Sequence, residues 1–369
     1  MRAAYAAGYA DPRRLHHDGR RARLLLDNAR EAIADALGVS PGEVSFVPSG
    51  THAVHLGLLG LARGQGALRS APGTDGGAHL VLGAVEHSAV RYAAEWAAQT
   101  WRAAPTVSVA PVDQRGRIDR VALDALLTQQ PGSVLALQAA NPEVGTLQPV
   151  DEVAQAYPET AVFCDLAAAV GQVRSSQLPR LWLAAAASAH KWGGPAGVGV
   201  LLVRKGARWR SPMPADDRID PRSIGFENIP AALGAAAALQ AVLREVDEAA
   251  TRRHDLIDRL RQRLSATVPD IELVGDPVDR LPHVLTFSCL YVDGEALVLE
   301  LDRRGFAVSS GSACAAQTHS PSHVLEAMGV LTHGNVRVSV STDATAAQLD
   351  AFAEAVAESV AALRAEVGL

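Results

Sequence analysis

Leu181-Trp182-Leu183-Ala184-Ala185-Ala186-Ala187-Ser188-Ala189-His190-Lys191-Trp192-Gly193-Gly194-Pro195 sets a lysine between an alanine-rich apolar run and a glycine-rich turn. The run Leu181–Ala187 predicts a buried strand. An ammonium is costly at the end of such a strand, and covalent chemistry is one reason to keep it there: a desolvated lysine amine forms a Schiff base with a carbonyl. A single lysine in a turn is weak evidence, so the reading depends on what else the chain places at strand ends.

Outward from this stretch, strand and helix patterns alternate. Arg21–Leu37 reads as an amphipathic helix stopped at Gly38. Short apolar strands are expected at Val44–Val47, His79–Leu82, Val134–Gln138, Ala161–Asp165 and Val198–Val203. Such alternation implies a mostly parallel sheet covered by helices, with ligands at the carboxyl ends of the strands. From about Ala235 the pattern changes. A helical stretch runs through Leu264, antiparallel strands follow at His283–Tyr291 and Asn335–Ser341, and a last helix opens with a Thr345/Gln348 capping box. We therefore expect a large domain over residues 20–235 and a smaller α+β domain formed by residues 1–19 and 236–369. Gly64–Gly77 and Asp216–Arg222 read as surface loops.

The 369 residues are enough for two domains. Apolar residues make up 48% and charged residues 20%, as in a water-soluble globular protein. A net charge of −6 with no basic stretch argues against direct nucleic-acid binding. No apolar run reaches the roughly 20 residues of a membrane span, and the N-terminus has no signal-peptide pattern. The three cysteines, Cys164, Cys289 and Cys314, are odd in number and lack metal-type spacing. They suggest a reducing, cytoplasmic setting with no metal site.

Several strand-end residues are candidates for chemistry. Ser49-Gly50-Thr51 joins a strand to a helix and offers backbone N–H groups and hydroxyls to a phosphate, or simply makes a turn and a cap. Glu86-His87 follows a strand, where His87 is either a polar strand-end residue or a group that stacks on a ring and moves protons. Asp165 ends Ala161-Val162-Phe163-Cys164. It either caps a helix over Leu166–Val170 or pairs with a protonated pyridine nitrogen. In Asn141-Pro142-Glu143-Val144-Gly145, Asn141 makes a turn or reaches a phenolic oxygen. Cys314, in Ser309-Ser310-Gly311-Ser312-Ala313-Cys314, is surrounded by small residues and reads as an available nucleophile. Cys164 and Cys289 lie inside apolar strands and read as inert. Arg337, in an alternating strand, forms a salt bridge or holds a carboxylate bidentately.

Together these stretches resemble the cysteine desulfurases of the class V aminotransferase group of pyridoxal-phosphate enzymes, over nearly the whole chain. The most specific pieces are Ser188-Ala189-His190-Lys191, Glu86-His87, Ser309 to Cys314, Leu281-Pro282-His283-Val284-Leu285 and Val292-Asp293-Gly294-Glu295-Ala296-Leu297. The resemblance implies the fold of the type I pyridoxal-phosphate transferases and a homodimer with composite active sites. It implies that Lys191 forms the Schiff base with pyridoxal 5′-phosphate and removes the substrate's α-proton. Asp165 would pair with the ring nitrogen, His87 would stack on the ring and assist proton transfer, and Asn141 would reach the phenolic oxygen. Gly50, Thr51, Ser188 and His190 would hold the phosphate. Arg337 would bind the carboxylate of L-cysteine, and Cys314 would take the sulfur as a persulfide for an acceptor protein whose identity the sequence leaves open. Alanine would be the other product.

The chain departs from the family pattern in three places. The usual N-terminal strand has no counterpart before Asp11-Pro12-Arg13. Ala168 stands where the family has a glutamine to the phenolic oxygen, and Phe226 stands where it often has a threonine that reaches the partner subunit's phosphate. Alternatives therefore stay open: another pyridoxal-phosphate lyase such as a selenocysteine lyase, a transaminase-like enzyme, or a non-catalytic paralogue acting as a scaffold.

Overall fold

The computed structural model describes residue 5 and residues 10–67, 77–214, 220–310 and 321–368. Contacts divide the chain into two compact units, one of Met1–Ala110, Arg120–Ala139 and Pro149–Val246, the other of Pro111–Asp119, Ala140–Gln148 and Asp247–Leu369.

In the first unit, helix α1 (His17–Leu37) starts four residues before the expected Arg21 because the His16 ring accepts the Gly19 N–H and caps it. It stops at Gly38, whose φ of 65° turns the chain left-handed. The next elements are β1 (Val44–Val47), α2 (Gly50–Gly66), β2 (His79–Gly83), α3 (Ser88–Thr100), β3 (Thr106–Ala110), α4 (Arg120–Gln129), β4 (Val134–Ala136), α5 (Val150–Ala156), β5 (Ala161–Asp165), β6 (Ala184–Ser188), β7 (Gly199–Val203) and α6 (Ile229–Leu243).

The sheet order is β1-β7-β6-β5-β4-β2-β3. Pairings from β6 through β5, β4 and β2 to β3 are parallel, whereas β7 runs antiparallel to both β6 and β1. The fold is thus α/β with a mostly parallel sheet. Strands β4 to β7 are buried throughout, which is why they read as unbroken apolar runs. Strand β3 lies at the sheet edge with Val107 and Val109 exposed. Its half-exposed alternation gave no such run, and the sequence reading did not place it. Helix α2 lies over the sheet, and its Leu56, Leu58 and Leu61 share a core with Phe163, Ala186 and Leu201.

The second unit contains α7 (Val246–Thr267), β8 (Ile271–Val274), β9 (Val284–Cys289), α8 (Gly294–Arg303), α9 (His323–Met328), β10 (Asn335–Ser339) and α10 (Ala346–Glu366). Its sheet is β10-β9-β8, all antiparallel. The Thr345/Gln348 capping box opens α10 as its spacing predicts. Leu285, Phe287, Leu297, Leu301, Phe352 and Val356 form the centre of this unit's core.

The division differs from the expected 20–235 and 236–369. Helix α6 packs on α1, so the boundary falls at Val246 rather than 235, and residues 10–19 lead into α1 within the first unit. Residues 111–119 and 140–148 interrupt the first unit and join the second. The Gln148 side chain accepts the Ile118 N–H at 3.0 Å and donates to the Gly116 carbonyl at 2.6 Å, and Arg117 pairs with Asp279 at 2.7 Å. These are long-range bonds, which local pattern does not encode.

Phe163 is fully buried at the middle of β5. Phe163→Ala is expected to cost about 3–5 kcal/mol of first-unit stability, read as a lower urea midpoint by far-ultraviolet circular dichroism.

Candidate active site

Strand β1 runs parallel to β6, because β7 is antiparallel to both. The carboxyl ends of β1, β2, β5 and β6 therefore lie along one edge of the sheet, and each is followed by a candidate residue. Ser49, Gly50 and Thr51 follow β1, His87 follows β2, Asp165 ends β5, and Ser188, His190 and Lys191 follow β6. Parallel strands bind ligands at this edge.

Lys191 stands in a single 3-10 turn, Ala189–Trp192. The turn closes at Gly193, whose φ of 79° is open to glycine and strained for other residues. Its backbone is held on several sides. Gln172 Nε2 donates to the Lys191 carbonyl at 2.7 Å, Gly194 N–H donates to the Ala189 carbonyl at 2.9 Å, and Trp192 Nε1 donates to the Ala235 carbonyl at 3.0 Å. Lys191 is thus an exposed side chain on a fixed base, next to a buried tryptophan. Gln172 escaped the sequence reading because a glutamine nineteen residues away carries no local signal.

Asp165 is 8% exposed. The helix expected at Leu166–Val170 is a set of tight turns, and Asp165 Oδ1 accepts the Ala167 N–H at 2.9 Å. Burial pushes the Asp165 carboxyl above the ordinary carboxylate range, against the pull of that N–H, His87 and Lys191. Asp165, His87 and Lys191 therefore share one electrostatic neighbourhood. The buried carboxyl lacks a cation strong enough to offset its desolvation. Glu86 lies beneath. Its Oε1 accepts the Gln138 N–H at 2.7 Å, and burial raises it well above the usual range, with the Asp165 charge adding to the shift. Cys164 is pushed up by burial and by the same acids, and Cys289 is pushed up to about 11 by burial, so both are inert as expected.

His87 caps α3. Its Nδ1 accepts the Ala89 N–H at 3.1 Å, which leaves the neutral ring's proton on Nε2. The ring is otherwise exposed.

Ser49 caps α2 by accepting the His52 N–H at 3.0 Å. Gly50 and Thr51 form the first turn, where N–H groups are unpaired and the helix dipole favours an anion. A Cβ on Gly50 would stand 2.6 Å from Ser188 Cβ and 2.8 Å from its Oγ. Glycine thus lets α2 meet the end of β6. Ser188 Oγ lies 2.9 Å from His190 Nδ1. Burial, with Lys191 nearby, lowers the His190 pKa.

The remaining candidates belong to the second unit. Asn141 Oδ1 accepts the N–H groups of Glu143 at 2.8 Å and Val144 at 2.9 Å, so turn chemistry uses its oxygen. Arg337 is half-buried on β10, and its charge acts on the Glu143 carboxyl, partly offsetting the effect of that group's burial. Its backbone exchanges two hydrogen bonds with Ser309. Cys314 lies outside the described residues. Of the departures, Phe226 is 46% exposed and Ala168 is half-buried beside Asp165.

The first-unit residues suit pyridoxal 5′-phosphate. Asp165 is a buried carboxyl whose desolvation Lys191 and His87 offset only in part, the groove between Gly50 and Ser188 is closed to any Cβ, and Lys191 is an amine on a fixed turn.

The Glu86 carboxyl binds its proton more tightly folded than unfolded, so its contribution to stability falls as pH rises from the ordinary carboxylate range to its folded value. Glu86→Gln keeps the acceptor oxygen and removes the titration. Its stability relative to wild type is expected to grow over that window by up to about 1.4 kcal/mol per pH unit. Parallel pH–stability curves from urea titrations would contradict this.

Comparison with known proteins agrees with this site. The profile of the family Aminotransferase class-V matches residues 1–352. A cysteine desulfurase of Cereibacter sphaeroides is 36% identical, covering 97% of this chain and 90% of its own. The cysteine desulfurase NifS of Azotobacter vinelandii is 31% identical, covering 96% and 87%. A solved NifS-like protein superposes with a TM-score of 0.84 at 28% identity, over 98% of this chain and 94% of its own. The chain therefore belongs to the class V aminotransferase family and, within it, is an enzyme of the cysteine desulfurase type.

Proposed function

We propose that the protein uses pyridoxal 5′-phosphate to convert L-cysteine to L-alanine, leaving a persulfide on Cys314 for an acceptor protein. The observation that carries the cofactor reading is the shared neighbourhood of Lys191, Asp165 and His87 at one sheet edge. When bound, the cofactor supplies a carbonyl for Lys191 and an electron sink for the substrate's α-carbon.

The chain's own residues divide the work. Ser188, His190, Thr51 and the N–H groups at Gly50 take the phosphate. Asp165 would hold the protonated ring nitrogen, whose charge would add to the partial offset from Lys191 and His87. Lys191, an amine on a fixed turn, would be the group that accepts the substrate's α-proton at Nζ. His87 would lie against the ring and would serve proton transfer at Nε2, since Nδ1 is engaged by Ala89. Asn141, through its amide nitrogen, would reach the phenolic oxygen, and Arg337 would bind the substrate carboxylate. The Cys314 thiolate attacks the substrate sulfur. A sulfur–sulfur bond forms as the carbon–sulfur bond breaks, and the electron pair stays with carbon. That carbon gains a proton and leaves as the methyl group of alanine. The persulfide sulfur is then passed on. The family resemblance supports a homodimer, and the odd cysteine count supports a cytoplasmic setting.

Absorption of the purified protein with added L-cysteine, alongside assays of alanine and sulfide, tests this reading. A near-ultraviolet to visible band that responds to cysteine, with alanine and sulfide formed in equal amounts under a thiol reductant, is expected. Pyruvate in place of alanine would point to β-elimination instead. Lys191→Ala is expected to lower turnover by at least about 100-fold. Cys314→Ser is expected to keep the cofactor band and lose sulfide release by a similar factor. Full sulfide release from Cys314→Ser would remove the thiol from the mechanism.

A further inference from the structure

In the second unit, β9 and β10 pair with Thr286 directly opposite Arg337. Cys289 N–H donates to the Gly334 carbonyl just before β10, and Val340 N–H donates to the His283 carbonyl just after it. Arg337 lies out of phase with those pairs. It spends its own N–H and carbonyl on Ser309, on its other side, at 2.6 and 3.1 Å. Thr286 and Arg337 are therefore a non-hydrogen-bonded pair, the kind whose facing side chains stand closest, with Cβ atoms about 4.5–5.5 Å apart. Their neighbours Leu285, Phe287, Val336 and Val338 enter the core of this unit, so Thr286 and Arg337 share the opposite face of the sheet.

Thr286 is fully buried. A valine would serve such a strand position as well, and a buried hydroxyl costs stability unless it is bonded. Here it donates to the Glu143 carbonyl at 2.6 Å. The N–H of that same residue donates to Asn141 Oδ1 at 2.8 Å. The turn is also closed on itself: Gly145 N–H donates to the Asn141 carbonyl at 3.0 Å, and Asn141 N–H donates to the Thr146 carbonyl at 2.9 Å. Leu281 N–H holds the exit of the turn at the Gly145 carbonyl, at 2.8 Å. Thr286 holds the limb that carries Asn141.

We infer that Thr286 is a positioning residue that holds the Asn141 turn in register with Arg337. Its hydroxyl ties the turn to β9, and its place in the ladder sets that bond beside the arginine opposite. The residue that serves the phenolic oxygen and the residue that binds the carboxylate of L-cysteine are thereby kept at one separation. The inference rests on the roles proposed above for Asn141 and Arg337. Removing the hydroxyl leaves the buried Glu143 carbonyl without this donor, which frees the turn to shift.

The test compares Thr286→Val, which keeps the shape and removes the hydroxyl, with Thr286→Ser, which keeps the hydroxyl. Amide hydrogen exchange of the full-length protein without cofactor reads the pinning directly. In Thr286→Val, exchange over residues 141–146 is expected to rise about tenfold with that of β10 unchanged, and Thr286→Ser is expected to stay within about twofold of wild type. In the cofactor-loaded protein, Thr286→Val is expected to shift the pH midpoint of the cofactor's visible band. It is also expected to raise KM for L-cysteine about fivefold with kcat changed by less than about twofold. Thr286→Ser is expected to restore both. Equal exchange in wild type and Thr286→Val would overturn the inference, as would failure of Thr286→Ser to restore what Thr286→Val loses. Faster exchange with an unmoved band and KM would overturn it too, since the turn would then be pinned without effect on the site. If Thr286→Val does not fold, wild type decides: exchange over residues 141–146 as slow as that over β9 is expected, and exchange at the rate of an unstructured chain would overturn the inference. A wild-type protein with no cofactor band would instead overturn the cofactor reading, and exchange alone would then judge the pinning.

Discussion

A carboxylate buried at the end of the apolar strand β5 is the constraint on which the site turns. Asp165 is removed from water by its own sheet, and one backbone N–H does not offset that cost. The lysine turn after β6 and the histidine cap after β2 both lie within electrostatic reach of it, and both lower the pKa that burial raises. Glu86, more deeply buried still, is held toward its neutral form by burial and by the Asp165 charge. The two acids thus differ: Glu86 is screened from solvent altogether, and Asp165 keeps Lys191 and His87 within electrostatic reach.

Much of this was legible in the sequence, and the reason is physical. Strands covered on both faces must be apolar along their whole length, so Ala161–Asp165 and Val44–Val47 read with their true limits. A polar residue that ends such a run stands out, which is how Asp165, His87 and Lys191 were found. The half-exposed edge strand β3 and the partly exposed β8 lack that contrast and were missed. The turn after Asp165 was read as a helix because five apolar residues follow it, whereas an Asx bond to Ala167 turns the chain first.

What the sequence hid is what joins distant segments. Gln172 steadies the lysine turn, and Gln148 bonds to the backbone of Gly116 and Ile118 thirty or more residues away. Each is a polar side chain bonded to backbone far along the chain, and no spacing rule announces it. Asn141 shows the converse. Turn chemistry and a ligand role were both open from the sequence, and its oxygen proves to serve the turn.

Strands β1 and β6 are not neighbours. With β7 between them their axes stand about 10 Å apart, yet Gly50 touches Ser188. The span closes because the first residue of β7, paired in register with both Val47 and Ser188, is Gly199. With no side chain there, the segment after β1 folds across the top of the middle strand. The width of the gap between Gly50 and Ser188 is therefore set from below, by the keystone of a small arch.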